Sequence, residues 1–131
     1  MPNFKPFKPI PTDKEKLTNA DLRATHSGKL SITLVAKLFG MPVAELGRLI
    51  GKPHRAALSK TPDADSLQEP LRPFADIALI RSENLNNKEF RKWLHISNPH
   101  MQNRAPIDWI RDGRARDVAG FVHGIITGQP A

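Results

Sequence analysis

Apolar residues recur along this chain at three- and four-residue intervals, the spacing that lines one face of a helix. No segment sustains the period-two alternation of a half-buried strand. The pattern predicts an all-α fold. An early helix is expected from Thr18, where Thr18 and Asp21 have the spacing of a loose capping box, Leu22 supplies a core contact and His26-Ser27-Gly28 ends it. From Ser31 the repeat strengthens, with Leu34, Val35, Leu38 and Phe39 on one stripe. Gly40 closes that helix, because glycine accepts the left-handed conformation of a tight exit. Pro42 opens the next, where its missing N–H costs little. That helix turns Val43, Leu46, Leu49 and Ile50 inward and stops at Gly51.

The second half follows a polar break at residues 61–65. Ser66 and Glu69 again have capping-box spacing, ahead of Leu67, Leu71, Phe74, Ile77 and Ala78. Pro70 and Pro73 predict that regular helix begins only near residue 70 or 73. Asn84 to Asn87 reads as a turn. Lys88 to His95 reads as a short helix burying Phe90, Trp93 and Leu94. Asn98-Pro99 makes another turn, and Pro106 opens a helix holding Ile107 and Ile110 that Gly113 stops. The last helix, about 115–127, places Val118, Phe121, Val122, Ile125 and Ile126 on one face. The expected organisation is an arm over 1–17, a helix-turn-helix region over 18–62 and a helical module over 63–131, forming one domain or two modules sharing a core.

The arm is expected from Pro2, Pro6, Pro9 and Pro11, which withhold backbone donors, set among four lysines. The arm is read as flexible or extended, and Phe4, Phe7 and Ile10, three apart within it, offer a spacing with which it could dock. No lysine-led apolar stretch follows the N-terminus as in a secretory signal, and the longest apolar runs fall far short of the ~20 residues of a membrane span. There is no cysteine, hence no disulfide, thiolate metal site or cysteine nucleophile. These features give the expectation of a cytoplasmic protein.

Charge changes the picture by its distribution. Of a net +7, residues 29–60 hold six Lys and Arg against one Glu, whereas residues 61–83 hold five acids against two arginines. A local cationic surface releases counterions from phosphates, so nucleic acid is a candidate partner, with ordinary solubility the plain alternative. The same stretch contains Ala36, small enough for a close helix crossing, then Gly40 for the turn and Leu46 and Leu49 for the second helix. This is helix-turn-helix spacing, shared with simple helical hairpins. The second helix offers few base-reading side chains, so Arg48, Lys52 and Arg55 are the candidate DNA contacts, chiefly to phosphate.

The succession Phe90-Arg91-Lys92-Trp93-Leu94, Asn98-Pro99, Pro106 to Gly113, Val118 and Gly128 resembles the toxin-binding domain of the Xre/MbcA/ParS antitoxins over about residues 66–129. The upstream helix-turn-helix is similar to the Cro-like half of that family. Two departures fall in the 98–105 turn: Met101-Gln102-Asn103-Arg104 stands where the family has glycine-rich sequence, and Asn98-Pro99 where it often has Pro-Asn. The resemblance implies a type II antitoxin. Its partner would be a RES-domain toxin that consumes NAD or transfers ADP-ribose, its NAD pocket blocked by the antitoxin's last helix and tail. It also implies promoter binding and a homodimer within a hetero-oligomeric complex. On this reading the toxin contacts are Trp109, Arg111, Arg114, Arg116, Gly128, Gln129, Pro130 and Ala131.

Each of these residues also has a plainer role. The three arginines suit a solvated helix connection, the glycines at 120, 124 and 128 suit internal packing and a C-terminal cap, and tryptophans are more often core. Trp109 lies off the Ile107–Ile110 stripe and is therefore the expected interface aromatic. No catalysis, metal or cofactor is expected. His26, His54, His95, His100 and His123 show no His-x-x-x-His spacing, and there is no Gly-x-Ser-x-Gly or phosphate-cradling glycine loop. The competing readings are a stand-alone helix-turn-helix regulator and an interaction module that never touches DNA.

Overall fold

A computed structural model describes residues 12–128 of the chain, and over them the fold is all-α as predicted. Helix α1 (Thr12–Thr18) runs into a 3-10 turn at Ala20–Leu22. Then come α2 (Ile32–Phe39), α3 (Val43–Leu49), α4 (Arg55–Lys60) and α5 (Asp65–Ala78), which passes directly into a 3-10 segment at Leu79–Glu83. The chain closes with α6 (Asn87–His95), a 3-10 turn at Pro99–Met101, α7 (Pro106–Arg111) and α8 (Ala115–Thr127). Two isolated bridges, Arg23 with Leu30 and Asn98 with Arg104, are the strand-like pairings among the described residues.

Three helix starts differ from expectation. The arm expected over 1–17 lies outside the described residues up to 11, but 12–17 are helical. Proline stops at Pro11, and Lys14, Glu15, Lys16 and Leu17 are good helix formers. Thr18 therefore ends a helix rather than capping one. The break after it is held by tertiary bonds: buried Asn19 donates from Nδ2 to the Ala75 carbonyl at 2.9 Å. Helix α5 begins at Asp65, not near 70 or 73, and carries both prolines inside it. Each proline deprives one carbonyl of its helical donor, those of Ser66 and Glu69. Both residues lie on the exposed side, and burial of Leu67, Leu71, Phe74, Ile77 and Ala78 on the other keeps the helix whole. Helix α4 was not expected; its anchor is the single buried Leu58.

One apolar cluster draws on every helix from α2 to α8. Phe39 of α2 stands at its centre, edge-on to Phe74 of α5 at 5.4 Å and to Phe90 of α6 at 5.3 Å. The polar break at 61–65 therefore does not interrupt the core. It is a junction sewn down by backbone and side chains. Ile32 N–H donates to the Pro62 carbonyl at 2.9 Å, and Ser27 Oγ donates to Asp63 at 2.6 Å. Gln68 pairs with both backbone groups of Leu30, accepting its N–H at 2.8 Å and donating to its carbonyl at 2.9 Å. That Ser27 bond, with His26 and Lys29 nearby, holds the Asp63 carboxyl below its ordinary pKa.

Candidate nucleic-acid and partner interfaces

The spacing around Gly40 produces a closely joined helix pair, α2 and α3. Ser31 caps α2 by accepting the Leu34 N–H at 3.4 Å, and Gly40 adopts the left-handed conformation with φ of 69°. Met41 N–H then reaches back to the Ala36 carbonyl at 3.0 Å, closing the turn, while Ala36 and Leu46 are fully buried where the two helices cross. A further close approach was not foreseen. A methyl group on Gly47 would lie 2.7 Å from both the Leu58 side chain and the Lys52 carbonyl, so α3 meets the loop and α4 without room for a side chain.

Arg48 is exposed near the end of α3, Lys52 is half-buried in the loop, and Arg55 is the exposed first residue of α4. None of the three is in an ion pair with another described residue. The second helix is not free on all sides, however. Glu45 Oε2 lies 3.4 Å from Arg111 Nε of α7, and Leu49 and Ile50 line a cleft of about 410 Å³ with Pro73, Gly113, Arg114 and Arg116. The C-terminal helices thus meet α3 at Glu45, Leu49 and Ile50, and Arg48 stays exposed beside Glu45.

At the α7–α8 corner, Trp109 corrects an expectation. Its indole is only 8% exposed, and Nε1 donates to the Met101 carbonyl at 3.1 Å. The guanidinium carbons of Arg104 and Arg114 lie 5.0 Å and 4.5 Å from its ring centre. The stripe argument failed because α7 packs on two sides, against α6 and α8, so a residue off the Ile107–Ile110 line is buried too. Trp109 supports the corner from beneath; Arg111, Arg114 and Arg116 form its outer surface. Arg111 is tied to Glu45 and Arg114 to Asp117 at 2.6 Å, whereas Arg116 has no ion pair among the described residues. Exposed pairs of this kind are worth about 0–1 kcal/mol and exchange readily for a partner's carboxylates.

Helix α8 packs on α5 through Val118 and Val122, with Phe121 and Ile126 half-buried, but Ile125 is 42% exposed, so the predicted five-residue face is not wholly inward. Nor is Gly120 an internal packing glycine: it is exposed, and a methyl group there would meet nothing within 4 Å. Gly128 does cap the helix, with φ of 71°. Gln129, Pro130 and Ala131 lie outside the described residues. Beside Gly120 a groove of about 340 Å³ runs between α5 and α8, containing Asp76, whose carboxyl burial pushes above its ordinary pKa.

The most heavily bonded polar group went unnoticed in the sequence. Arg81, buried in the 3-10 segment that follows α5, donates from Nη1 and Nη2 to the two carboxylate oxygens of Asp21 at 2.6 and 3.0 Å. It also donates to the Thr18 carbonyl, Asn19 Oδ1, Asn87 Oδ1 and the Ala78 carbonyl. The signal was a lone cation behind the apolar run Ile77-Ala78-Leu79-Ile80. Among the described residues no group of three His, Cys, Asp or Glu side chains is placed to hold a metal ion, and no helix is long and apolar enough to cross a membrane. No family model, curated protein or solved structure matches the chain.

Proposed function

We propose that this protein is the antitoxin of a type II toxin–antitoxin pair, acting in the cytoplasm. Its α7–α8 side binds and neutralises a RES-domain toxin that consumes NAD or transfers ADP-ribose, and α2–α3 dock on promoter DNA. The observation that carries the reading is the uncovered outer strip of α8. Arg116 and Gly120, one turn apart, face solvent on a helix packed against α5 and α7, and exposed Ile125 lies on its other flank near the C-terminal residues. A sterically open helix edge carrying Arg116 and followed by small residues suits insertion beside a nucleotide pocket, with Arg111 and Arg114 at its base. A homodimer within a hetero-oligomeric complex follows from the same resemblance, which remains an analogy of motif.

The test is to co-express the toxin with the full chain and with a chain lacking residues 128–131. Loss of protection, with the two proteins still co-purifying, is the expected result. Full protection by the shortened chain moves the inhibitory surface to Arg111, Arg114 and Arg116. Failure of the full chain to bind or protect against any RES-domain toxin overturns the reading. What then gains is a stand-alone helix-turn-helix regulator, for which exposed, unpaired Arg48 and Arg55 speak.

A further inference from the structure

Helix α6 carries a charged face that the function proposed above leaves unused. Its inner side is Phe90 and Leu94, both fully buried, with Trp93 half-buried beside them. Its outer side is Lys88, Arg91, Lys92 and His95. These stand at i, i+3, i+4 and i+7, which a helix gathers on one face. All four are exposed, and none is in an ion pair with another described residue. The helix's single acid, Glu89, is committed to the N-terminal capping box, where its carboxylate accepts the Asn86 N–H at 3.0 Å.

Solubility is a poor account of this row. A solvating helix face mixes signs, because like charges at i and i+4 each destabilise a helix by about 0.2–0.5 kcal/mol. The helix dipole favours Lys92 and His95 in the last turn, but it opposes Lys88 in the first. The row is also oriented. Arg91 Nε donates to the Leu38 carbonyl at 3.1 Å, at the end of α2, immediately beyond exposed Lys37. The α6 row therefore adjoins the C-terminal end of α2.

We propose that the outer face of α6 binds the phosphate backbone of nucleic acid without reading base sequence, as a second anchoring surface beside α2. Phosphate contacts from Lys and Arg position a protein and release counterions whatever the bases. The inference rests on the nucleic-acid half of the proposed function and is independent of the toxin.

The experiment is fluorescence anisotropy on the full chain with short labelled duplexes of two unrelated sequences, over a series of salt concentrations. Lys88→Ala with Lys92→Ala should raise Kd roughly tenfold on both sequences and reduce the slope of log Kd against log salt by about two, near 0.9 per lost contact. Both sites are exposed, so circular dichroism should be unchanged. If only an Arg48→Ala, Arg55→Ala variant loses affinity, the α6 proposal fails and the helix-turn-helix reading stands. If only the α6 variant does, the reverse holds. No binding by the unmodified chain overturns both. Equal binding to labelled polyglutamate overturns it in favour of an acidic protein partner.

Discussion

Arg81 is the most consequential single residue for stability. Its charge is buried, and all three guanidinium nitrogens have partners, so its removal strands groups on two segments distant in sequence. Arg81→Met preserves volume yet leaves Asn19 and the Thr18 carbonyl unserved and Asp21 without its partner. The expected loss is about 3 kcal/mol, the lower end for breaking a buried pair because Asp21 is half exposed. Urea denaturation checks this, and Arg81→Lys should recover little, since an ammonium cannot grip a carboxylate bidentately. None of this was legible in the sequence: Asp21 is 60 residues away, and a lone arginine after an apolar run does not name its acceptors. Trp109 was misjudged for the same kind of reason. Besides α6 and α8, its cover includes the Met101 carbonyl and Arg104 of the 98–105 turn, where Gln102 and Asn103 take left-handed backbone that periodicity does not reveal.

At the scale of elements, legibility followed locality. Helix α2 could be read to within a residue because Ser31 and Gly40 are local stops. Helices α7 and α8 could be read because Pro106, Gly113 and Gly128 are too. Helix α4 could not, since six residues with one buried leucine show no period. Helix α5 was started late because two prolines outweighed its apolar face in local terms and lost to it in tertiary terms. The contact of α3 with α4 gives a sharp test. Gly47→Ala is ordinarily favourable in a helix by about 1 kcal/mol. Here the methyl group would meet a backbone carbonyl that cannot swing aside, so a net destabilisation of roughly 1–3 kcal/mol is expected. A thermal melt that rises instead would show that Leu58 and the Lys52 carbonyl do not close on Gly47.

For the whole molecule, pH adds an observable with a definite sign. Burial, aided by Glu15 and opposed by Arg72 and His123, holds Asp76 above its ordinary pKa, so the folded chain binds that proton more tightly than the unfolded chain. Its contribution to stability is fully present below pH 3.8 and is lost as pH rises through the folded value. Asp76→Asn should therefore stabilise the protein at neutral pH, and the gain should vanish under acid conditions. Asp63, held below its ordinary pKa, has the opposite sign, contributing above pH 3.8 and losing it as pH falls. Denaturation curves of the variant and parent across pH 3 to 7 separate the two, and a variant no more stable than the parent at pH 7 contradicts the burial of Asp76.

The edge-on meeting of Phe39 with Phe74 and Phe90 bears on how such a chain diversifies. A recombination event joining the first half of one gene to the second half of a diverged relative would split this aromatic trio, setting Phe39 against α5 and α6 shaped by another history. Core shapes that evolved apart rarely interlock, and neighbouring substitutions do not add independently. Lineages carrying this fold would then diverge by point substitution on the outer faces of α3, α6 and α8, with the two halves inherited together.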